Sequence, residues 1–228
     1  FEIPIPNSPT KIKEWTDKIS APYEEKNMKE LRVEELEKEV QERIKHITEN
    51  EECEEVELGE LVKKIKPKFN LNTKEMDNNG IYPFYNKIGT NIGFHSVYNY
   101  DVSIAILLTK DGGSGPKIYG DNISLGGVMV IKGKFSSTYA NFVIEPKKYV
   151  NYLYYLLKNK KNIIMDFANY SVKIGHIKYE KLRNMKIKLP KNKQLITDLE
   201  PMFQEIEQLQ EEVKNADDLF NQYIQELG

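Results

Sequence analysis

The apolar positions of the chain fall into three patterns, and the change from one to the next divides it. Toward the C-terminus Leu195, Leu199, Met202, Ile206, Leu209, Val213, Ala216, Phe220, Tyr223 and Leu227 recur in steps of four and three, with acidic and amide residues between. This heptad seam predicts a helix from about Lys193 to Leu227, on the order of 50 Å long at ~1.5 Å per residue. Pro201 should bend that helix or mark its true start, because it has no amide hydrogen to donate. Toward the N-terminus Ile12, Trp15 and Ile19 form one short stripe, and Val33, Leu36, Val40, Ile44 and Ile47 a second. With Pro22 between them, they read as a short helix, a break, and a longer helix from about Lys26 to Thr48. "TENEECEE" then reads as a polar, acidic linker. Each stripe must be buried against something. The narrow C-terminal seam favours antiparallel pairing of the two helices over separate packing on the domain between them.

The middle of the chain mixes both periods. "EEVELGELVKKI" reads as a strand entering a short helix, and "GIYPFYNKIGTNIGF" is turn-rich, with aromatic residues spaced by Gly and Pro. "VSIAILLT" is continuously apolar, as a strand buried on both faces would be. "GVMVIKG" and "ANFVIEP" are further strands, and "KKYVNYLYYLLKN" is a helix presenting Val150, Leu153, Tyr154 and Leu157. "NYSVKIGHI" reads as a loop, "KYEKLRNM" as a short turn or helix, and "KIKLP" as a closing strand. The fold class expected is α+β. One mixed α/β domain over residues 56–190 is flanked by a first helix region and linker over 11–55 and a second helix over 191–228, the helices pairing as an antiparallel coiled coil. "FEIPIPNSPTKIKEW" and "MKIKLPKNKQLITDL" also align, Ile3, Ile5 and Pro6 on Ile187, Leu189 and Pro190, and Ile12 and Trp15 on Ile196 and Leu199. Residues 1–10 therefore read as the tail of a preceding repeat unit, and the chain as a piece of something longer.

Charge sharpens this division. The formal net charge is −2, but residues 1–55 carry 9 basic and 16 acidic side chains, residues 56–190 carry 21 and 10, and residues 191–228 carry 3 and 9. A basic middle between acidic arms fits a polyanion-binding domain on non-binding supports, the plainer alternative being a solvated lysine-rich surface. Cys53 is alone, which excludes an internal disulfide and a multi-cysteine metal site and fits a reducing, cytoplasmic setting. No apolar run approaches the ~18–20 residues of a membrane span, so no membrane partner is expected. His46, His95 and His176 lie far apart, nothing argues for a metal or a cofactor, and no spacing of His, carboxylate and nucleophile singles out a catalytic residue.

"LLTKDGGSGPKIYGDN", residues 107–122, poses the sharpest chemical choice. A phosphate-binding P-loop needs Gly-Lys-Ser/Thr and a helix after it, and neither a lysine in that place nor a helical pattern follows. The stretch reads instead as a hairpin: strand 102–109, a tip over about 110–121, and a returning strand from about 123 to 131. Lys110, Ser114, Lys117, Tyr119 and Asn122 place donors and an aromatic ring on a tip whose glycines let the backbone approach a groove. Asp111 and Asp121 read as turn formers, and His176 as a packed or capped histidine.

Taken in order, "VELGELVKKI", "IYPFYNKIGTNIGF", "AILLTKDGGSG", "NYSVKIGHIKYEKLRNMKIKLP" and the long C-terminal helix resemble the specificity subunit of type I restriction–modification systems. The resemblance covers nearly all of residues 56–228, and residues 1–50 resemble the preceding conserved helix. It implies a non-catalytic subunit whose recognition domain reads half of a bipartite site in double-stranded DNA. It also implies helices that space two such domains and dock DNA methyltransferase subunits, with the restriction/translocase subunit a further partner and self-association through the helices open. A full subunit has two recognition domains and this chain has one; Gln194 fits the family glutamine after the closing Pro, whereas Thr10 replaces it in the first copy. Phosphate contacts are then expected from Lys87, Lys110, Lys117 and Lys173, and base contacts from Ser114, Tyr119, Asn169, Ser171 and His176, with Tyr82, Tyr85 and Asn86 on the neighbouring loop. Tyr82 and Tyr85 read equally well as core. Two other readings stay open: the recognition part of a fused methyltransferase–restriction enzyme, and a coiled-coil adaptor with a basic protein-binding domain.

Overall fold

The computed structural model describes residues 8–75, 77, 79–86, 92–112, 125–171 and 174–227. In chain order its elements begin with α1 (Pro9–Asn50), β1 (Cys53–Glu57), α2 (Leu58–Leu61), β2 (Val62–Ile65), β3 (Tyr82–Tyr85), β4 (Ile92–His95) and β5 (Tyr100–Thr109). They continue with β6 (Asp111–Gly112), β7 (Val128–Ser137), β8 (Asn141–Pro146), α3 (Val150–Asn159), α4 (Lys161–Asp166), β9 (Ala168–Ser171) and β10 (Ile174–Ile177). The last are α5 (Tyr179–Arg183), β11 (Lys186–Pro190), α6 (Gln194–Thr197) and α7 (Glu200–Leu227). The chain divides into two compact units: its two ends, up to Arg43 and from Thr197, form one, and Ile44–Ile196 the other.

In the first unit the break expected at Pro22 is absent: α1 runs for 42 residues with Pro22 inside it. A proline ring removes one i→i−4 hydrogen bond, and the turns on either side keep theirs. Pro201 acts as a start signal, since α6 ends at Thr197 and α7 begins at Glu200. In the first turn of a helix the amide that proline lacks would have had no partner. Leu36 and Val40 on α1, and Phe203 and Ile206 on α7, are buried. Ion pairs between these helices, among the described residues, include Lys26 with Asp217 at 2.5 Å, Lys29 with Glu212 at 3.0 Å and Arg32 with Glu205 at 3.0 Å. Partner numbers fall on α7 as they rise on α1, so the helices run antiparallel.

The second unit is built on a six-stranded sheet of order β2-β8-β5-β7-β3-β4. Its neighbours are antiparallel except for β3 and β7, which pair parallel. The continuous apolar run is its central strand β5, and Ala105, Ile106, Leu107 and Leu108 are all fully buried. Ala105 and Leu107 join Tyr100, Val102, Ile131, Phe135 and Val143 in one cluster. Ile106 and Leu108 alternate to the other face, and α3 packs against β5 and β7. The Tyr100 and Phe135 rings stack at 5.1 Å between centroids, and burial pushes the Tyr100 phenol up to about 12. Each fully buried large side chain of this kind contributes roughly 1.5–3 kcal/mol.

β5 and β7 do not stay straight. Their register shifts between Val102 and Ala105, and Gly133, opposite Val102, has a φ of +76° that a side chain would strain. A bulge and a glycine at one level bend a ribbon. The bend is large, because Ser137 bonds Asn99 at the start of β5 while Asn141, four residues later, pairs with Thr109 at its end. The two ends of β5 are thereby brought to one place.

Two smaller sheets correct the sequence reading. The acidic "linker" is helix to Asn50 and then strand, since Cys53–Glu57 pairs antiparallel with Lys186–Pro190. "NYSVKIGHI" contains strands, not only a loop: β9 and β10 pair antiparallel, and β10 pairs again with β6. β10 is held on its other side by β6, a partner far away in sequence that a local pattern does not show. Gly112 lies so close to Leu125 that an added Cβ would meet the leucine Cβ at 2.5 Å. The glycine stretch therefore leaves β5 at Lys110 to join this second sheet, and β7 begins at Val128, later than the expected return; the tip at 113–124 lies outside the described residues. On α3 the buried side chains are Tyr152, Leu153, Tyr155, Leu156 and Leu157, so Val150 and Tyr154 lie at the margin of the face that was expected to carry them.

Candidate nucleic-acid interface

The stretch "SSTYAN", 136–141, joins β7 to β8 and packs hydroxyls and a carboxamide into a short turn between two apolar strands. Ser136, Ser137, Thr138 and Asn141 are all buried, as are Asn99 and Thr109. The Asn141 amide donates to the Asn86 carbonyl at 2.7 Å and to the Ser137 hydroxyl at 2.9 Å, and its Oδ1 accepts from the Thr109 hydroxyl at 3.0 Å. The Asn99 carboxamide accepts from the Ser137 N–H and donates to the Ser137 carbonyl, both at 2.9 Å. The Thr138 hydroxyl faces the Asn86 carbonyl at 3.2 Å and its Oδ1 at 3.1 Å. No buried side-chain nitrogen or oxygen among the described residues lacks a partner. A fully satisfied polar network in a low-dielectric interior is rigid. It ties the chain leaving β3, the chain leaving β5 and the β7–β8 turn to one point.

Directly beyond it, one register row crosses the three-stranded sheet: Asn169 on β9 pairs with His176 on β10, and His176 with Asp111 on β6. Directly opposed residues share a face. The carboxylate of Asp111 is shared, with Oδ1 hydrogen-bonded to His176 Nδ1 and Oδ2 to Lys110 Nζ at 3.0 Å. The Lys110 and Asp111 amides both donate to the Ala140 carbonyl, and the Ile177 amide donates to the Lys110 carbonyl. Lys181 Nζ makes a long hydrogen bond of 3.4 Å to Asn169 Oδ1.

Cations and rings interleave around this row. Lys110 lies over the Tyr139 and Phe142 rings at 5.7 and 5.6 Å, and Lys64 over Phe142 and Tyr179 at 4.9 and 4.8 Å. Tyr139, at the tip of the β7–β8 turn, is 69% exposed. A second group joins Lys68 and Lys134 over the Tyr98 ring, at 4.0 and 5.0 Å, with Tyr82 edge-on to Tyr98. Lysines beside rings supply what a nucleic-acid backbone and base faces both need.

The twelve residues expected at an interface therefore separate. Lys110, Asn169 and His176 come together around Asp111. Tyr85 and Asn86 end at the buried network, where Tyr85 is edge-on to Phe135 at 6.0 Å and burial raises its phenol pKa. Tyr82 stands with Tyr98 instead. The Ser171 backbone pairs with Ile174 on the hairpin. Lys87, Ser114, Lys117, Tyr119 and Lys173 lie outside the described residues. Asp111, read as a turn former, proves to be the partner of His176 and Lys110. Tyr139, Lys64, Tyr179 and the buried Asn141 were not anticipated; the density of hydroxyls in "SSTYAN" was the one local signal for Tyr139 and Asn141.

A mixed sheet domain and a long C-terminal helix define the class, and the family model for the type I restriction modification DNA specificity domain matches residues 50–216. The chain belongs to that family, the one its ordered motifs resemble. Among solved structures it is similar to the S subunit of the type I restriction–modification system of M. genitalium, with 16% identity over 96% of this chain and 61% of that one and a TM-score of 0.65. It also matches the HsdS subunit from Thermoanaerobacter tengcongensis, with 13% identity over 95% of this chain and 56% of that one and a TM-score of 0.46. The chain thus spans about three fifths of the length of these subunits. No curated protein sequence matches it.

Proposed function

We propose that Ile44–Ile196 reads one half of a bipartite site in double-stranded DNA, as the recognition part of a restriction–modification or DNA methyltransferase complex. The observation that carries this reading is charge segregation between the units: Ile44–Ile196 holds 24 basic and 15 acidic side chains, and the rest of the chain 9 and 20. The basic unit also holds the row of Lys110, Asp111, His176 and Asn169, and the anchored loop ends around it. Lys110, with Lys87, Lys117 and Lys173, contacts phosphates. Asn169, Ser171, His176, Ser114 and Tyr119 face base edges, and Tyr139 adds an exposed ring. α1 and α7 act as an antiparallel coiled-coil spacer that docks methyltransferase subunits, a role their ion pairs and buried stripes support. Strand methylation and cleavage belong to those partners, and this chain supplies the address.

The test is duplex binding by the chain in its assembled complex as a function of salt. Neutralising several phosphates gives a log–log slope of roughly −0.9 per contact, and Lys117→Ala should reduce the slope by about one while weakening all sequences alike. Asn169→Ala should change which duplexes are preferred. Binding that ignores salt, or goes equally well to acidic lipid vesicles, sinks the reading.

A further inference from the structure

The row Asn169–His176–Asp111 has a chemical polarity of its own. Asp111 offers only acceptor oxygens in its ionised form, so the hydrogen between it and His176 belongs to Nδ1. In a neutral imidazole that leaves Nε2 as a lone-pair acceptor. The ring side chain is 48% exposed and the Asp111 side chain 14% exposed, so the ring keeps open surface while its anchor is largely covered. Among the described residues nothing is hydrogen-bonded to Nε2. Lys110 Nζ sits 3.0 Å from the second oxygen, so both carboxylate oxygens are engaged and the carboxylate plane is fixed against the ring. Next to His176 in the row, Asn169 has its oxygen engaged by Lys181, which leaves its amide hydrogens as the outward group.

The row therefore presents a donor beside an acceptor, about 5 Å apart at the backbone as opposed strand residues are. Of the four bases only adenine carries the complementary pair on its own major-groove edge, N7 as acceptor and the N6 amino group as donor. Resting on the DNA reading above, we propose that Asp111 is a positioning residue that holds His176 as its Nδ1–H tautomer, so that His176 Nε2 and the Asn169 amide together read an adenine edge. Asp111 touches no base itself. It acts by deciding which of its neighbour's nitrogens carries the hydrogen, and Lys110, one residue earlier, holds it to that task.

Two measurements on the full chain test this separately. Long-range proton–nitrogen correlation spectra at neutral pH, with His176 assigned against His46 and His95 by substitution, report the tautomer without any DNA. The expected result is the Nδ1–H form in the native chain, its loss in Asp111→Asn, and its return in Asp111→Glu, with the backbone amide spectrum of all three otherwise alike. An imidazolium or an Nε2–H ring in the native chain overturns the proposal, as does an unchanged tautomer in Asp111→Asn. The second measurement selects duplexes from a random pool and then replaces each adenine of the preferred duplex by purine, which lacks the amino group. One replacement should cost the native chain about tenfold in affinity and cost His176→Ala nothing. If no replacement separates the two proteins, the base-reading role falls while DNA recognition stands. A native chain that enriches no duplex overturns both.

Discussion

Between α1 and α7 the polar contacts are made in water: the six side chains of the cross-helix ion pairs Lys26–Asp217, Lys29–Glu212 and Arg32–Glu205 are between 21% and 47% exposed. In the sheet unit the opposite holds, and Asn99, Thr109, Ser137, Thr138 and Asn141 are each at most 5% exposed yet fully hydrogen-bonded. The two arrangements differ in what a single loss costs. An exposed pair exchanges its partner for solvent at little penalty and is screened by salt. A buried carboxamide that is removed takes a hydrogen bond from each former partner where water does not readily replace it, so each loss carries a desolvation cost. Position along the helices is thus specified redundantly by many small contacts, whereas the loop ends near the candidate interface are specified by a few expensive ones.

The largest effect should come from the core that backs the network. Phe135→Ala empties the stack on Tyr100 and should cost about 4 kcal/mol in urea unfolding followed by far-ultraviolet circular dichroism. Asn141→Ala should cost about 2–3 kcal/mol by the same measurement, because the Thr109 hydroxyl and the Asn86 carbonyl lose a buried partner. A cost no greater than that of a surface substitution would erase the contrast between the units. Alkali should reveal the sheet unit next. Tyr85, Tyr100, Tyr152 and Tyr179 all have phenol pKa values raised by burial, Tyr100 to about 12. The folded state therefore holds protons that the unfolded state releases from pH ~10 upward, so the stability they contribute is intact below that pH and falls as pH rises toward 12. Tyrosinate absorbance should show part of the 14 tyrosines ionising late and together with loss of sheet signal. The smallest effect should be Arg32→Ala, which removes one cross-helix pair and should leave the unfolding midpoint unchanged within error, as should raising the salt. A large effect there would mean that the ion pairs act as a network rather than singly.

How much of this was legible in the sequence follows from the range of the interactions. The stripes of α1 and α7, the start of α7 at Pro201, the buried run of β5, the strands of β7, β8 and β11 and the basic middle are properties of neighbouring residues. The family likeness rests on the order of such local pieces. Pro22 misled because one missing hydrogen bond is a local cost that a 42-residue helix absorbs. "NYSVKIGHI" misled because its strands exist only through each other and through Asp111 and Gly112, some 65 residues away in the chain.

The candidate site divides along the same line. Composition marked the middle of the chain as basic, and the family resemblance led to Lys110, Asn169 and His176 as candidates one by one. That these three gather on Asp111, that Asp111 is shared between a lysine and an imidazole, and that Asn141 anchors the loops beside them were decided by tertiary structure. A bend in β5 and β7 brings together positions 99, 109, 137 and 141, and hydrogen bonds between side chains depend on distance in space, which no period in the sequence encodes.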